Sequence, residues 1–282
     1  MKKDTLIRTI VYGTISAVLF GVLLLNTFPL RKTRKMYTPQ IVVLGDSIFG
    51  QARDETSVSS LLSELLGQEV FNGALGGTCA SRVNREGRLA YSKDSLSFVE
   101  LSRAAALDDF GWQQATRVRE STTEYFPEVI DDLEKIDFSG VDILLVQYGL
   151  NDYHAGVPLD NPEDPYDTYT FAGAFRGAVA YWRETYPEIR IVLLTSTYSW
   201  YEYAGKTCEE MDEGGGILED YINKEIQVAE EMGVEVLDLY HDVYPHETWE
   251  DRKLYTHDGL HPNEAGRRLL AETVAAYLRD ER

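Results

Sequence analysis

Ser47 has the sequence surroundings that point most directly to chemistry. It stands in Gly45-Asp46-Ser47-Ile48, immediately after the apolar run at positions 41–44 (IVVL). A buried strand that ends in this way places a hydroxyl at the carboxyl edge of a sheet, where open α/β sheets bind their ligands. Glycine, aspartate and serine are also ordinary turn residues, so the tetrapeptide by itself is compatible with a plain strand-to-helix turn.

A base that could activate this hydroxyl occurs near the end of the sequence. Asp258 precedes His261 by three residues, in a segment that Pro262 closes. A serine is a poor nucleophile until a base takes its proton. In a short turn, the carboxylate of Asp258 can reach the far ring nitrogen of His261, fix the tautomer and stabilise the imidazolium. The segment therefore supplies a base and the group that orients it.

His257, four residues before His261, raises the alternative of a metal-binding pair. Such pairs normally stand on a helix, which Gly259 and Pro262 would break. We therefore expect no metal site in this segment. We expect the remaining histidines to be exposed in polar loops; they are His154, His241 and His246.

Two further segments could stabilise an oxyanion. Asn151 follows the apolar run at 141–148 (VDILLVQY), and the amide of an asparagine at a strand end can donate to a developing charge. The glycine-rich residues 72–78 (NGALGGT) follow the predicted strand 69–72, and bare backbone N–H groups there can do the same. Each segment alone is also typical of an ordinary loop.

Taken in order, the four segments resemble the SGNH (GDSL) hydrolase family. The resemblance covers roughly residues 40–280, nearly everything after the first apolar segment. It implies a serine hydrolase of carboxylic esters, with Ser47 as nucleophile, His261 as general base and Asp258 as its orienting acid. It implies no cofactor.

The resemblance also implies an oxyanion hole built from three donors. These are the backbone N–H of Ser47, the backbone N–H of Gly77 and the side chain of Asn151. Gly76 is the alternative to Gly77, because the segment reads Gly-Thr where the family has Gly-Asp. Ile48 replaces the usual leucine with an apolar residue of similar size.

The apolar runs alternate with helical patterns along the chain, which favours a single doubly wound (flavodoxin-like) α/β domain with a parallel sheet flanked by helices. The predicted strands are 41–44, 69–72, 141–148, 190–196 and 234–239. The predicted helices are 57–66, 120–135, 170–186, 215–232 and 263–280. Residues 79–119 and 154–169 are predicted insertions that either shape the substrate pocket or decorate the surface.

An apolar segment precedes this domain. Residues 9–30 carry no charge and are flanked by basic residues, which predicts one transmembrane helix, with a cleaved signal peptide as the alternative. We expect residues 1–35 to be a membrane anchor and residues 36–282 to be the hydrolase domain. Positive charge on both flanks leaves the orientation open, and we expect an extracytoplasmic catalytic domain at the cell membrane.

The net charge of the chain limits the kinds of partner that it can bind. The chain has a net charge of −20, and residues 1–35 carry seven basic and one acidic residue, which leaves −26 for the remainder. Such a surface repels nucleic acid and other polyanions. Cys79 and Cys208 allow at most one disulfide, and two buried thiols are the expected state.

The aromatic segment 197–203 (TYSWYEY) follows a predicted strand at the catalytic edge. Exposed rings there would stack on sugars, whereas buried rings would only pack the core. We expect an esterase that removes short acyl groups such as acetyl from carbohydrate or cell-envelope glycans. The alternatives are an SGNH-type O-acyltransferase that acts on envelope polysaccharide, a lipolytic esterase, and a non-catalytic glycan-binding module.

Overall fold

A computed structural model describes residues 35–85, 92–116 and 127–280 of the chain. Within these ranges no helix is both long and apolar enough to cross a membrane. The predicted transmembrane segment, residues 9–30, lies outside the described residues.

The core of the protein is a five-stranded parallel sheet. Its strands are β1 Ile41–Gly45, β2 Val70–Asn72, β3 Ile143–Gln147, β4 Arg190–Leu194 and β7 Glu235–Leu237. They lie in the order β2-β1-β3-β4-β7, which is the flavodoxin-like doubly wound order. The inner strands β1 and β3 are buried throughout, as expected for apolar runs that helices cover on both faces.

The strand order creates a switch point between β1 and β3. The chain moves from β1 outward to β2 and then returns to the other side of β1, so right-handed crossovers place successive helices on opposite faces of the sheet. The carboxyl ends of β1 and β3 stand side by side, with Gly45 aligned with Gln147. A side chain at Gly45 would place its Cβ 2.9 Å from the carbonyl oxygen of Gln147, which explains the glycine there.

Helices surround the sheet in two groups. The helices are α1 Ser47–Gly50, α2 Val58–Leu66, α3 Phe98–Leu107, α4 Gly111–Ala115, α5 Pro127–Leu133, α6 Leu150–His154, α7 Phe171–Thr185, α8 Leu218–Met232, α9 Arg252–Tyr255 and α10 Glu264–Asp280. Helix α2 packs on α10, whereas α7 packs on both α3 and α8. The buried indole N–H of Trp182 on α7 donates to Ser102 Oγ on α3 at 2.8 Å, so the second group is also joined by a polar contact.

The predicted α/β class and the five predicted strands are confirmed, with ends that differ by at most two residues. Four predicted helices match α2, α7, α8 and α10 within three residues at each end, and the fifth is observed over Pro127–Leu133, its first part lying outside the described residues. The predicted insertion 79–119 contains α3 and α4, which pack as regular parts of the domain.

One feature of the fold was not predicted from the sequence. Residues Trp200–Tyr201 (β5) and Lys206–Thr207 (β6) form a two-stranded antiparallel hairpin. Cys79 and Cys208 are both buried and do not form a disulfide with each other, which is the state expected from the sequence.

Candidate active site

Ser47 stands where β1 gives way to a helix at the switch point of the sheet. Strand β1 ends at Gly45, and Asp46 caps the short helix α1 by accepting a hydrogen bond from the N–H of Ile48 at 2.9 Å. Ser47 is the first residue of that helix, a position whose backbone N–H has no acceptor within the helix. Only 5% of Ser47 is exposed, so its hydroxyl lies in a largely dry environment.

The loop that carries His261 is held in a tight reversal. Thr256 and Pro262 form an isolated antiparallel bridge, and the N–H of His257 donates to the carbonyl of His261 at 3.1 Å. Gly259 has φ +87°, and a Cβ there would lie 2.3 Å from the carbonyl oxygen of Trp200. Glycine at this position therefore allows the loop to press against the hairpin β5–β6.

This reversal brings the three predicted triad residues together. His261 Nε2 lies 3.0 Å from Ser47 Oγ, and His261 Nδ1 lies 2.7 Å from Asp258 Oδ2. The other carboxylate oxygen of Asp258 accepts the backbone N–H groups of Leu260 and His261. Although partial burial opposes it, the hydrogen bonds from His261 and these N–H groups hold the pKa of Asp258 far below its usual value. Asp258 is therefore an anion that fixes the orientation of the ring.

A second Asp-x-x-His segment, Asp238 to His241, repeats this local geometry. His241 Nδ1 lies 2.6 Å from Asp238 Oδ2, and the backbone N–H of His241 also reaches Asp238. The far ring nitrogen of His241 lies 3.7 Å from Glu219, whereas that of His261 meets a serine. The sequence alone had suggested only that His241 is exposed. The spacing Asp-x-x-His is therefore not diagnostic without the serine.

Asn151 reaches the site from the end of β3. Helix α6 begins after Gly149, whose φ of +125° turns the chain sharply out of the strand. The side-chain amide of Asn151 donates to Asp46 Oδ2 at 3.2 Å. One amide hydrogen is thus used to orient the side chain beside Ser47, and an amide has a second hydrogen with which to bind a ligand.

Gly77 lies in the turn that follows β2, and it adopts a left-handed φ of +67°. The turn is tied to β1 by a hydrogen bond from the N–H of Leu75 to the carbonyl of Gly45 at 2.8 Å. The guanidinium of Arg53 donates to the carbonyls of Asn72 and Ala74. Arg53 was not identified from the sequence, because a lone arginine near a helix gives no sign that it holds a distant turn.

Asp152 fastens the segment after this turn to α6. Its carboxylate accepts the N–H of Ala80 at 2.7 Å and both the N–H and hydroxyl of Ser81, at 3.0 and 2.5 Å. Burial raises the pKa of Asp152 to about 6, against the lowering effect of these bonds. Its role here is structural, and the sequence alone did not identify it.

Asp46 is fully buried beneath the serine. Desolvation raises its pKa to about 7, although the N–H of Ile48, the nearby His261 and the amide of Asn151 favour the charged form. Glu225 on α8 is also fully buried and electrostatically coupled to Asp46, and burial raises its pKa well above the usual value. The carboxyl groups of Asp46 and Glu225 are therefore buried close to the site, where burial makes their ionisation unfavourable.

In the aromatic segment 197–203, for which the sequence left exposed and buried rings as alternatives, most of the rings are buried. Tyr198, Trp200 and Tyr201 are at most 2% exposed and pack into the core, so they cannot stack on a sugar. Tyr203 differs, because it is 80% exposed at the tip of the hairpin β5–β6. The hydroxyl of Tyr201 lies 2.9 Å from His154 Nε2, which ties the hairpin to α6.

Comparison with known proteins agrees with this geometry. The sequence profile of the GDSL-like lipase/acylhydrolase family matches residues 43–269, which include every site residue described above and all of the sheet except the first two residues of β1. The chain belongs to the GDSL-like lipase/acylhydrolase family. A comparison with curated proteins finds no match.

Solved structures with the same fold include proteins with different activities. A protein from Lactobacillus plantarum has a TM-score of 0.62 at 20% identity, covering 88% of this chain and 99% of its own. Est24, a carbohydrate acetylesterase from Sinorhizobium meliloti, has a TM-score of 0.51 at 14% identity, with coverage of 86% and 99%. The salicylyl-acyltransferase SsfX3 from a tetracycline biosynthetic pathway has a TM-score of 0.51 at 17% identity, with coverage of 87% and 55%. At these identities the likeness concerns the fold.

The buried Asp46 gives a testable pH dependence of stability. Its pKa is about 7 in the folded chain and 3.8 in the ordinary reference state, so the folded chain binds more protons between these values. The free energy of unfolding therefore falls as the pH rises from about 4 to 7, by up to about 1.4 kcal/mol per pH unit for one group. We expect Asp46→Asn to show a shallower fall in urea unfolding measured across this range. Asp142→Asn, at an exposed position, is the control, and an unchanged slope in Asp46→Asn would contradict the assignment.

Proposed function

We propose that this protein is a serine esterase that uses Ser47, His261 and Asp258 to cleave carboxylic esters. The observation that carries the proposal is the unbroken hydrogen-bonded chain from Ser47 Oγ through the His261 ring to Asp258, with distances of 3.0 and 2.7 Å. Membership of the GDSL-like lipase/acylhydrolase family supports the same class of reaction.

In the first half of the reaction, Ser47 Oγ attacks the ester carbonyl while His261 Nε2 takes the hydroxyl proton. Asp258 stabilises the imidazolium through Nδ1, without itself taking the proton. The tetrahedral intermediate collapses when its bond to the alcohol oxygen breaks and His261 donates its proton to that oxygen. The alcohol leaves, and Ser47 keeps the acyl group as an ester.

In the second half, water replaces the alcohol. His261 takes a proton from water as the water oxygen attacks the acyl carbonyl, and a second tetrahedral intermediate forms. The bond to Ser47 Oγ then breaks, the proton returns to Ser47 and the carboxylic acid is released. The same base acts in both directions, as microscopic reversibility requires.

The oxyanion of each intermediate would be held by the backbone N–H of Ser47, the backbone N–H of Gly77 and the amide of Asn151. Ser47 offers its N–H because it begins a helix, and Asn151 is already oriented by Asp46. We assign the second donor to Gly77 because it has a left-handed φ of +67°, a backbone conformation that Gly76 does not share. Removal of one such donor typically lowers turnover about 10²–10³-fold.

For the substrate, we propose short acyl esters, such as acetyl, on carbohydrate or cell-envelope glycans. Tyr203 supports a sugar, because its exposed ring lies on a hairpin that contacts the catalytic loop through a Trp200 N–H to Gly259 carbonyl bond of 2.9 Å. Aromatic faces of this kind commonly bind apolar faces of ligands. The net charge of −26 after residue 35, derived from the total of −20, disfavours polyanionic polymers.

We keep the predicted membrane location as part of the proposal. Residues 9–30 would anchor the enzyme in the cell membrane as a single helix, with residues 36–282 on the extracytoplasmic side. An anchored esterase in that position would meet envelope glycans directly.

Substitutions in the triad test the proposed mechanism, and the second Asp-x-x-His segment, Asp238 to His241, provides the control. Ser47→Ala and His261→Ala should each lower kcat for an aryl acetate by about 10⁴–10⁶-fold, and the double variant should be no slower than either alone. His241→Ala should retain activity, because His241 has the same carboxylate partner spacing but contacts Glu219 where His261 contacts the serine. Unfolding curves would establish that the variants are folded. Appreciable turnover in Ser47→Ala would reject the proposed nucleophile.

A second prediction concerns the sugar. Tyr203→Ala should raise KM for an acetylated oligosaccharide by about three- to tenfold, the range of one aromatic contact, while kcat/KM for a small aryl acetate stays unchanged. Tyr166→Ala is the matched control, because Tyr166 is also an exposed tyrosine, at 53%, on a different loop. Equal effects on both substrates, or none on the oligosaccharide, would argue against a sugar site at Tyr203.

An O-acyltransferase is the second candidate function, because the fold is shared with an acyltransferase and the triad does not itself specify the acyl acceptor. The acyl-enzyme on Ser47 would then react with a sugar hydroxyl as well as with water. Product analysis of an aryl acetate reaction with and without an oligosaccharide acceptor separates the two. A hydrolase should release acetate at the same yield in both, whereas a transferase should deliver most of the acetyl group to the oligosaccharide.

A further inference from the structure

We infer that His257, Asp258 and His261 form a binding site for one zinc-class divalent cation, and that a cation bound there switches off the catalytic base. The metal site itself follows from the geometry of these side chains. Its inhibitory effect rests on the proposed function, because it requires His261 to be the general base.

The tight reversal of residues 256–262 creates the site. The bridge between Thr256 and Pro262 and the hydrogen bond from His257 N to the His261 carbonyl bring the two histidines side by side. Their rings are nearly parallel, at 18°, with centroids 5.8 Å apart. From the sequence we expected no metal pair here, because Gly259 and Pro262 would break the helix on which such pairs normally stand. The antiparallel reversal brings the rings of His257 and His261 together without a helix.

The donor atoms suit a transition metal. One ligand atom from each of His257, Asp258 and His261 lies within 4.8 Å of the others. His257 Nε2 is 3.8 Å from Asp258 Oδ2, which is itself 2.7 Å from His261 Nδ1. Zinc bound tetrahedrally at about 2.0–2.2 Å from nitrogen and oxygen holds its ligands about 3.3–3.5 Å apart, so small side-chain movements are sufficient.

Exposure makes these movements and the entry of a hydrated ion feasible. The side chains of His257 and Asp258 are 47% and 42% exposed, and that of His261 is 24% exposed. Asp258 supplies a carboxylate oxygen that lies between the two imidazole rings, 3.8 Å from His257 Nε2 and 2.7 Å from His261 Nδ1. Water can complete the tetrahedron, as it does at zinc sites with three protein ligands.

Such a cation would stop the reaction whichever ring nitrogen of His261 it used. Binding at Nδ1 moves the ring proton to Nε2 and separates Nδ1 from Asp258, so Nε2 can no longer accept the Ser47 proton. Binding at Nε2 occupies the lone pair that faces Ser47 Oγ at 3.0 Å. In both cases the bound cation prevents His261 from acting as the general base.

The donor set also predicts which cations inhibit. Imidazole and carboxylate ligands suit Zn²⁺ and Cu²⁺, whereas Mg²⁺ and Ca²⁺ prefer sites made of oxygen ligands. We therefore expect Zn²⁺ to inhibit the full-length chain at concentrations where Mg²⁺ and Ca²⁺ do not. His257 is the residue to vary, because it belongs to the metal site but not to the proposed triad.

The experiment measures Zn²⁺ inhibition of aryl acetate hydrolysis by the wild type, His257→Ala and His241→Ala, each relative to its own rate in EDTA. His257→Ala should raise the half-inhibitory Zn²⁺ concentration at least about tenfold, because even the loss of an outer-shell partner of a metal site typically costs about 10–100-fold in affinity. His241→Ala should behave as the wild type, because it removes an exposed histidine with an aspartate partner at the other segment. Equal inhibition of the wild type and His257→Ala would overturn the inference.

Isothermal titration calorimetry with ZnCl₂ tests the site without using activity. The wild type and Ser47→Ala should bind one Zn²⁺ with similar affinity, and His257→Ala should bind it at least about tenfold more weakly. Absence of binding, or equal binding in His257→Ala, would overturn the metal site. If the chain binds Zn²⁺ through His257 but hydrolyses no ester, the proposed function fails while the metal site stands.

Discussion

The hydrogen bond between Ser47 and His261 is the contact on which the account depends, and it joins residues that are 214 positions apart in the chain. No local propensity can produce it. Its formation requires β1 and β3 to lie together at the switch point, so that Ser47 emerges at the correct edge of the sheet. It also requires the loop of residues 256–262 to press against Trp200, which only a glycine at position 259 allows. Packing of the sheet and of the hairpin β5–β6 therefore sets the positions of Ser47 Oγ and His261 Nε2.

Beneath that contact, the protein buries acidic groups at a cost in free energy. Asp46 and Asp152 are fully buried with pKa values raised to about 7 and about 6, and burial also raises the pKa of Glu225 well above its usual value. The hydrogen bonds of Asp46 and Asp152 position the helix that begins at Ser47, the amide of Asn151 and the segment at Ala80 and Ser81. The same groups that organise the site thus make the domain less stable as the pH rises. Buried ionisable groups with shifted pKa values are common at functional sites.

Much of the fold, and which residues lie together at the candidate site, could be predicted from the sequence. Strands covered on both faces appear as continuous apolar runs, and the carboxyl ends of parallel strands converge on one edge, so Ser47 and Asn151 could be placed together. The features that could not be predicted depend on packing between distant segments. Arg53 reaches the carbonyls of Asn72 and Ala74 from the loop between α1 and α2, and Trp200 is buried in a hairpin that packs against the loop of Gly259.

Local patterns were also ambiguous where two segments share a motif. Asp238 to His241 and Asp258 to His261 form the same carboxylate–imidazole pair, and only the three-dimensional position of Ser47 separates them. Likewise, the spacing of His257 and His261 was interpreted with a helix in mind, and the antiparallel reversal around Gly259 places them together instead. In both cases the sequence gives the residue types, and the long-range geometry decides their use.

Covalent trapping would show which hydroxyl group of the chain is activated as a nucleophile. The full-length chain would be incubated with a fluorophosphonate, which reacts with a serine only when a neighbouring base activates it. Intact-mass analysis and peptide mapping would then locate the adduct. The account predicts one phosphonyl group per chain, on Ser47. An unlabelled chain, or an adduct on any other residue, would contradict it.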